Sequence, residues 1–188
     1  MESAIDMPGA WFSAAGNPVN ISLRNGAVVA TPRFGSVSGR GVLRGVRDWV
    51  VYASGKTVYY ISKLVNQVFN GTAYSFPATL YFALWTTTLT SASTGSSGTE
   101  CSYTGYARVA VTANSTNFST SSAGSSITNN IAVTWPANTA TSNTATYMAI
   151  CDASSAGNMM YFGSISSTVI GVGDTPQMAA SALTASEA

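Results

Sequence analysis

Thr79-Leu-Tyr-Phe-Ala-Leu-Trp-Thr86 sets six apolar residues, Leu80–Trp85, between threonines. An amphipathic helix would interrupt such a run with polar positions, and a half-exposed strand would alternate. A short unbroken run therefore predicts a central strand covered on both faces. It is the longest strongly apolar run in the chain, far short of the roughly 20 residues of a membrane-spanning helix. Downstream, Tyr106–Ala113, Asn129–Trp135, Ala145–Cys151, Met159–Ser164 and Thr168–Val172 read as further strands, with a weaker one near Gln177–Leu183. In Tyr106–Val111, alternation puts Arg108 opposite the face of Val109 and Val111, half exposed. Loops 87–99, 114–126 and 136–144, built of Ser, Thr, Gly and Asn, separate the strands. Short, regularly spaced strands with such loops predict an antiparallel β-sandwich or jelly roll.

Upstream, Thr57–Asn70 is the one segment with helical spacing. Val58, Ile61, Val65 and Val68 form a stripe that Leu64 and Phe69 widen, the pattern of a face that packs on a sheet. Thr57 is the expected N-cap, and Asn70-Gly71 the stop. Before it, Ile21–Arg24 and Ala27–Thr31 flank Asn25-Gly26, a hairpin dipeptide, and Trp49–Ala53 reads as a strand. Four glycines between Gly35 and Gly45 make the intervening chain an adaptable arm. The expected fold is mainly β: an extended basic N-terminal arm (1–56), a helix (57–71), an antiparallel sandwich or jelly-roll body (72–176) and a C-terminal tail (177–188).

Of 188 residues, 50 are Ser or Thr, 8% are charged, two are Cys and none is His. Without His there is no Ser-His-Asp triad, Cys-His pair or imidazole ligand. Two cysteines cannot by themselves build a structural zinc site. No cofactor or metal is expected. A surface this poor in charge is weakly protected against association and suits a protein covered by neighbours. The charge is also uneven: net −2 over residues 1–19, +6 over 20–63 and −3 over 64–188. A basic segment of this kind docks on a surface of opposite sign or forms a solvated arm. The chain opens Met-Glu-Ser-Ala-Ile-Asp, with acids and no basic n-region, so no secretory signal is expected.

Several motifs have a plain reading beside the functional one. Ser54-Gly55-Lys56-Thr57 lies between a strand and a helix, where a phosphate loop would lie, but position 50 is Val rather than the Gly that such a loop requires. A turn and an N-cap account for it. Four Asn-X-Ser/Thr triplets are expected by chance in a chain this rich in hydroxyls. Glu100, Asp152 and Asp174 are the acids of the strand-rich part and could supply a glycosidase pair; each lies at a turn, where carboxylates cap. Tyr103, Tyr106, Trp135, Tyr147, Tyr161 and Phe162 are a sugar-stacking platform or, more simply, core. Arginines near Phe34 and Trp49 match no nucleic-acid module. Cys101 and Cys151 read as buried and reduced.

The order of phrases from Ser62 to Asp174 resembles a family of tailed-bacteriophage virion proteins commonly labelled tail-fibre or minor structural proteins. Lys63-Leu-Val-Asn with Gly71-Thr-Ala-Tyr74 is similar to its opening helix and turn, and Ala78–Leu84 to its first strand. Gly98-Thr-Glu100 with Gly105–Thr112, the run Ile127-Thr-Asn129 to Val133-Thr-Trp-Pro136, Tyr147–Ala153 and Gly157–Gly163 follow in the same order. The resemblance implies a non-enzymatic β protein of the virion. Proteins of this β type also serve as capsid cement. With the basic extension, this gives the primary expectation: a cement or decoration protein on the capsid surface, assembled in the host cytoplasm. Its partners would be the major capsid protein, through Arg24, Arg33, Arg40, Arg44 and Arg47, and copies of itself as dimer or trimer, with no membrane and no specific nucleic acid. The alternative is a tail-fibre or baseplate protein that binds a host receptor through loops 87–99 and 114–126.

Overall fold

The computed structural model describes residues 21–24, 27–30, 46–48, 51–53, 55–119 and 126–186. The chain divides into two units, Met1–Val42 and Leu43–Ala188. In the first, β1 (Ile21–Arg24) and β2 (Ala27–Ala30) pair antiparallel with Arg24 opposite Ala27, so the strands flank Asn25-Gly26 as the dipeptide predicts.

In the second unit, β6 (Thr79–Trp85) is the inner strand the apolar run requires. It lies between β7 (Val109–Thr112) and β10 (Asn143–Cys151) in a five-stranded antiparallel sheet of order β5-β11-β10-β6-β7, where β5 is Gly55–Lys56 and β11 is Met159–Ile170. Strand alternation sends Leu80, Phe82 and Leu84 to one face and Tyr81, Ala83 and Trp85 to the other, and each face has its own apolar cluster. Where two strands were expected, Met159–Ser164 and Thr168–Val172, one strand of 12 residues runs through. Its serines do not break it, because Ser164 and Ser166 point to solvent on either side of buried Ile165.

The remaining strands form two three-stranded sheets, β3-β12-β9 and β4-β13-β8, with β3 Val46–Asp48, β12 Thr175–Met178, β9 Val133–Thr134, β4 Val51–Ala53, β13 Leu183–Ser186 and β8 Ser126–Thr128. Both take their strands in the same order from the same three stretches, 46–53, 175–186 and 126–134, so they are halves of one interrupted ribbon. The expectation of purely antiparallel pairing fails here: β3 with β12 and β4 with β13 are parallel. Residues 46–56, expected in the arm, and 177–186, expected in the tail, supply strands to this unit. The expected strand Asn129–Trp135 is cut to β8 and β9 by Asn129. This fully buried side chain donates to the carbonyls of Ile131 and Ala179 (2.7 Å each) and accepts from the Leu183 amide (2.8 Å). It fills the interruption with the hydrogen bonds that a continuous ladder would have made. Val133, Met178 and Leu183 of the ribbon join Phe82, Leu84 and Met148 of the main sheet in the larger cluster.

The single helix among the described residues, α1 (Val58–Phe69), begins at Thr57 as expected. The Thr57 hydroxyl accepts from the Tyr60 amide and donates to the Met159 carbonyl, while its backbone amide donates to Met160 at 3.0 Å. Gly71, at φ +64°, supplies the left-handed residue after the C-cap. The predicted face is wrong. No α1 residue is buried, and Val58, Ile61, Val65, Val68 and Phe69 are all exposed. The cap clamped to β11 fixes how the helix is rotated. Tyr60 turns inward against Tyr161, ring centroids 4.9 Å apart, with half-buried Leu64 on the same side.

Candidate functional site

The five basic residues expected to form a contact surface are not gathered by the described structure. Arg24 closes β1, and Arg47 sits mid-strand in β3 with Pro176 as register partner. Arg33, Arg40 and Arg44 lie outside the described residues. Of loop 114–126, residues 120–125 also lie outside them.

The three acids considered for catalysis each hold backbone or a cation. Asp152 accepts from the backbone amide (2.7 Å) and the side-chain amide (2.8 Å) of Asn158, closing the β10–β11 turn. Asp174 accepts from the Gly171 amide at 2.8 Å. Glu100 binds Arg108 through both carboxylate oxygens, to Nε at 2.9 Å and Nη2 at 2.7 Å, and also accepts from the Tyr106 hydroxyl at 2.8 Å. Ser54-Gly55-Lys56-Thr57 forms no phosphate cradle: Gly55 and Lys56 are strand β5, Thr57 is the cap, and a Cβ on Gly55 would lie 2.5 Å from the Phe162 ring.

Arg108 is not the half-exposed strand residue that alternation suggested. Strand β7 starts one residue later, and the Arg108 side chain is 2% exposed. Besides Glu100 it donates to the carbonyls of Gly95 (2.8 Å), Ala153 and Ala156 (2.9 Å each), so all five guanidinium N–H groups are used. Its carbon Cζ lies 5.4 Å from the Trp85 ring centroid, within cation–π range. Burial works against the charge, but the hydrogen bonds and charge of Glu100 outweigh it and hold the pKa above the usual arginine value. Arg108 thereby ties residues 86–100 and turn 152–158 together over the second face of the main sheet, where Leu89 covers the smaller cluster. Gly95 is required at this crossing: its amide donates to Gly157, and a Cβ there would lie 1.9 Å from the Ala156 carbonyl oxygen.

The loop expected to be a free receptor loop is therefore fixed. Thr90 with Ser93, and Thr94 with Ser97, close two successive turns, and exposed Thr88, Thr90, Ser91, Thr94, Ser96 and Thr99 present a neutral hydroxyl surface. Cys101 and Cys151 are free and buried, one in each cluster. Burial in apolar surroundings pushes both thiols up to about 12.

The aromatic residues considered as a sugar platform are largely core: Trp135 and Tyr103 are buried, and Tyr106 is pinned between Glu100 and the Leu84 amide. An aromatic cluster at the surface lies elsewhere, next to the clamped loops. The Val58 amide donates to Ser91 at 2.8 Å, which ties the helix start to loop 86–100. One residue on, Tyr59 meets Tyr74 edge-on at 6.4 Å, and Tyr74 meets Phe76 at 4.7 Å. Lys63 Nζ sits 5.4 Å from the Tyr59 ring and 6.0 Å from that of Tyr74. Burial, a hydrogen bond with Tyr59 and then the nearby charge of Asp152 raise the Tyr74 pKa above the ordinary tyrosine value, which places the β10–β11 turn beside the cluster. Phe76 is 52% exposed. The array thus combines ring faces, one cation, one carboxylate and a hydroxyl-rich border on a rigid support. Sequence reasoning missed it because Tyr59 belongs to the helix while Tyr74 and Phe76 lie in an unpatterned connection.

Residues 55–186 match the family described as Podophage GP4 fiber I protein gp80. A comparison with curated proteins gives no match.

Proposed function

The chain belongs to the family of the podophage GP4 fiber I protein gp80, a virion structural family rather than a catalytic one, and from that premise we propose that its β body is the receptor-contacting part of a phage fibre. The proposed ligand is a saccharide of the host envelope. Tyr59, Tyr74 and Phe76 offer apolar ring surface to the C–H faces of sugar rings. Lys63 and Asp152, with the hydroxyl border, supply polar groups that orient the sugar hydroxyls. What supports this reading is a partly exposed aromatic cluster that shares its place with a cation and a hydroxyl-rich loop held rigid by Arg108.

The test is competition for adsorption. Purified chain should slow attachment of the phage to its host, and Tyr59→Ala with Phe76→Ala should raise the concentration needed by about tenfold or more, as loss of central aromatic anchors does. Unchanged competition by the folded double variant would reject the aromatic cluster as the contact. A second reading is supported by the basic stretch 20–63, net +6: a capsid cement protein that bridges major capsid protein subunits through Arg24, Arg33, Arg40, Arg44 and Arg47. Copy number separates the two, since cement is present in numbers comparable to the major capsid protein and a fibre in a small fraction of them.

A further inference from the structure

We propose that α1 is a self-association element, and that the strip Val58, Ile61, Val65 and Val68 packs against the same strip of two further copies in a parallel three-helix seam. The spacing of these residues is 3-4-3, the a/d rhythm of a coiled-coil seam. All four are β-branched, and Val or Ile at both seam positions favours three strands over two. The fold leaves this strip free. Thr57 is locked to β11 and Tyr60 packs on Tyr161, so the body takes the opposite side of the helix. The strip is 58%, 41%, 47% and 72% exposed in order, with Phe69 beyond it at 80%. The strip carries no charge: the one charged residue of the helix, Lys63, is engaged with Tyr59 and Tyr74. Two identical strips therefore meet without repulsion.

Area decides between two copies and three. With Phe69, the strip is comparable to the roughly 300–600 Å² patch that marks a functional contact on a monomer. A pair meeting through it alone falls short of the ~800 Å² per partner of a stable interface. A three-fold seam covers each strip from two sides and closes under cyclic symmetry. This inference does not depend on the saccharide reading, because Tyr59, Tyr74 and Phe76 are not seam residues.

The test uses the full chain. Light scattering after size exclusion should give three times the chain mass. Val65→Glu places a carboxylate in the seam but stands at an exposed position of the single chain, so it should leave the circular dichroism unchanged and weaken association by about tenfold or more. Val68→Cys adds an exposed thiol to a chain whose two described cysteines are buried. In a parallel seam it meets its counterpart and gives a disulfide-linked dimer on mild oxidation; an antiparallel arrangement keeps the two apart. A monomeric wild type overturns the proposal. So does assembly unaffected by Val65→Glu. A monomeric Val68→Cys variant whose new thiol is shielded from a maleimide also overturns it, and would put the chain's own N-terminal segment on the strip.

Discussion

Replacing Arg108 by Met keeps most of the side chain's bulk and removes every contact of the guanidinium. The Glu100 carboxylate loses two charge-assisted hydrogen bonds, and the carbonyls of Gly95, Ala153 and Ala156 lose a donor each. Removing one partner of a buried ion pair typically costs about 3–5 kcal/mol. The lower end applies here: Glu100 is 26% exposed, keeps the Tyr106 hydroxyl, and sits at a loop crossing that water can enter once it opens. About 3 kcal/mol is still a large share of a total stability of ~5–15 kcal/mol. Arg108→Lys retains the charge but not the five-donor fork and should cost less, about 2 kcal/mol. Urea unfolding followed by tryptophan fluorescence is the natural assay, because Trp85 lies under the guanidinium. The cost should change little between low and high salt, since a side chain 2% exposed is poorly screened. A loss below about 1 kcal/mol, or one abolished by salt, would place Arg108 with ordinary surface pairs and refute the clamp.

Two further outcomes follow from buried groups. Asn129→Ala strips partners from two carbonyls and an amide at the break in the ribbon; at about 1–3 kcal/mol for each group left unpaired, the urea midpoint should fall by the equivalent of about 3 kcal/mol or more, and a near-neutral variant would show that water replaces the side chain. Cys101 and Cys151 have thiols raised from 9.0 to about 12 on folding. The thiolate is thus favoured in the unfolded chain, so this stability is fully present below pH 9 and is lost as pH rises toward 12, by on the order of 2–3 kcal/mol per thiol at pH 11. Denaturation midpoints at a series of pH values, with thiol-reagent labelling at pH 8, check this; full labelling of the native chain would contradict it.

How far the sequence could be read depended on whether the deciding interactions were local. Leu80–Trp85 announced an inner strand because six apolar residues need cover on both faces, whatever the topology. Thr57 announced its cap because the bond to Tyr60 spans three residues. The helical stripe was equally plain, yet its destination was misread: periodicity shows that an apolar face exists and leaves its partner unspecified. Here a buried cap and the Tyr60–Tyr161 contact fixed the rotation instead. Arg108 was misread because its acceptors are Glu100 and three carbonyls that lie 13, 45 and 48 residues away. Carbonyls are present at every residue and carry no sequence signal. The parallel pairing of 46–53 with 175–186 joins distant segments for which no local pattern exists. Asn129 looked like a strand residue, and only its burial reveals that it replaces a ladder.

The most direct test of a receptor-contacting fibre is to sediment purified chain with host cells and, in parallel, with capsids that lack it. The account predicts that the chain pellets with cells, that Tyr59→Ala with Phe76→Ala frees it into the supernatant, and that it stays behind when mixed with capsids. Binding to capsids and not to cells would contradict the account and make the basic segment, rather than the aromatic cluster, the working surface.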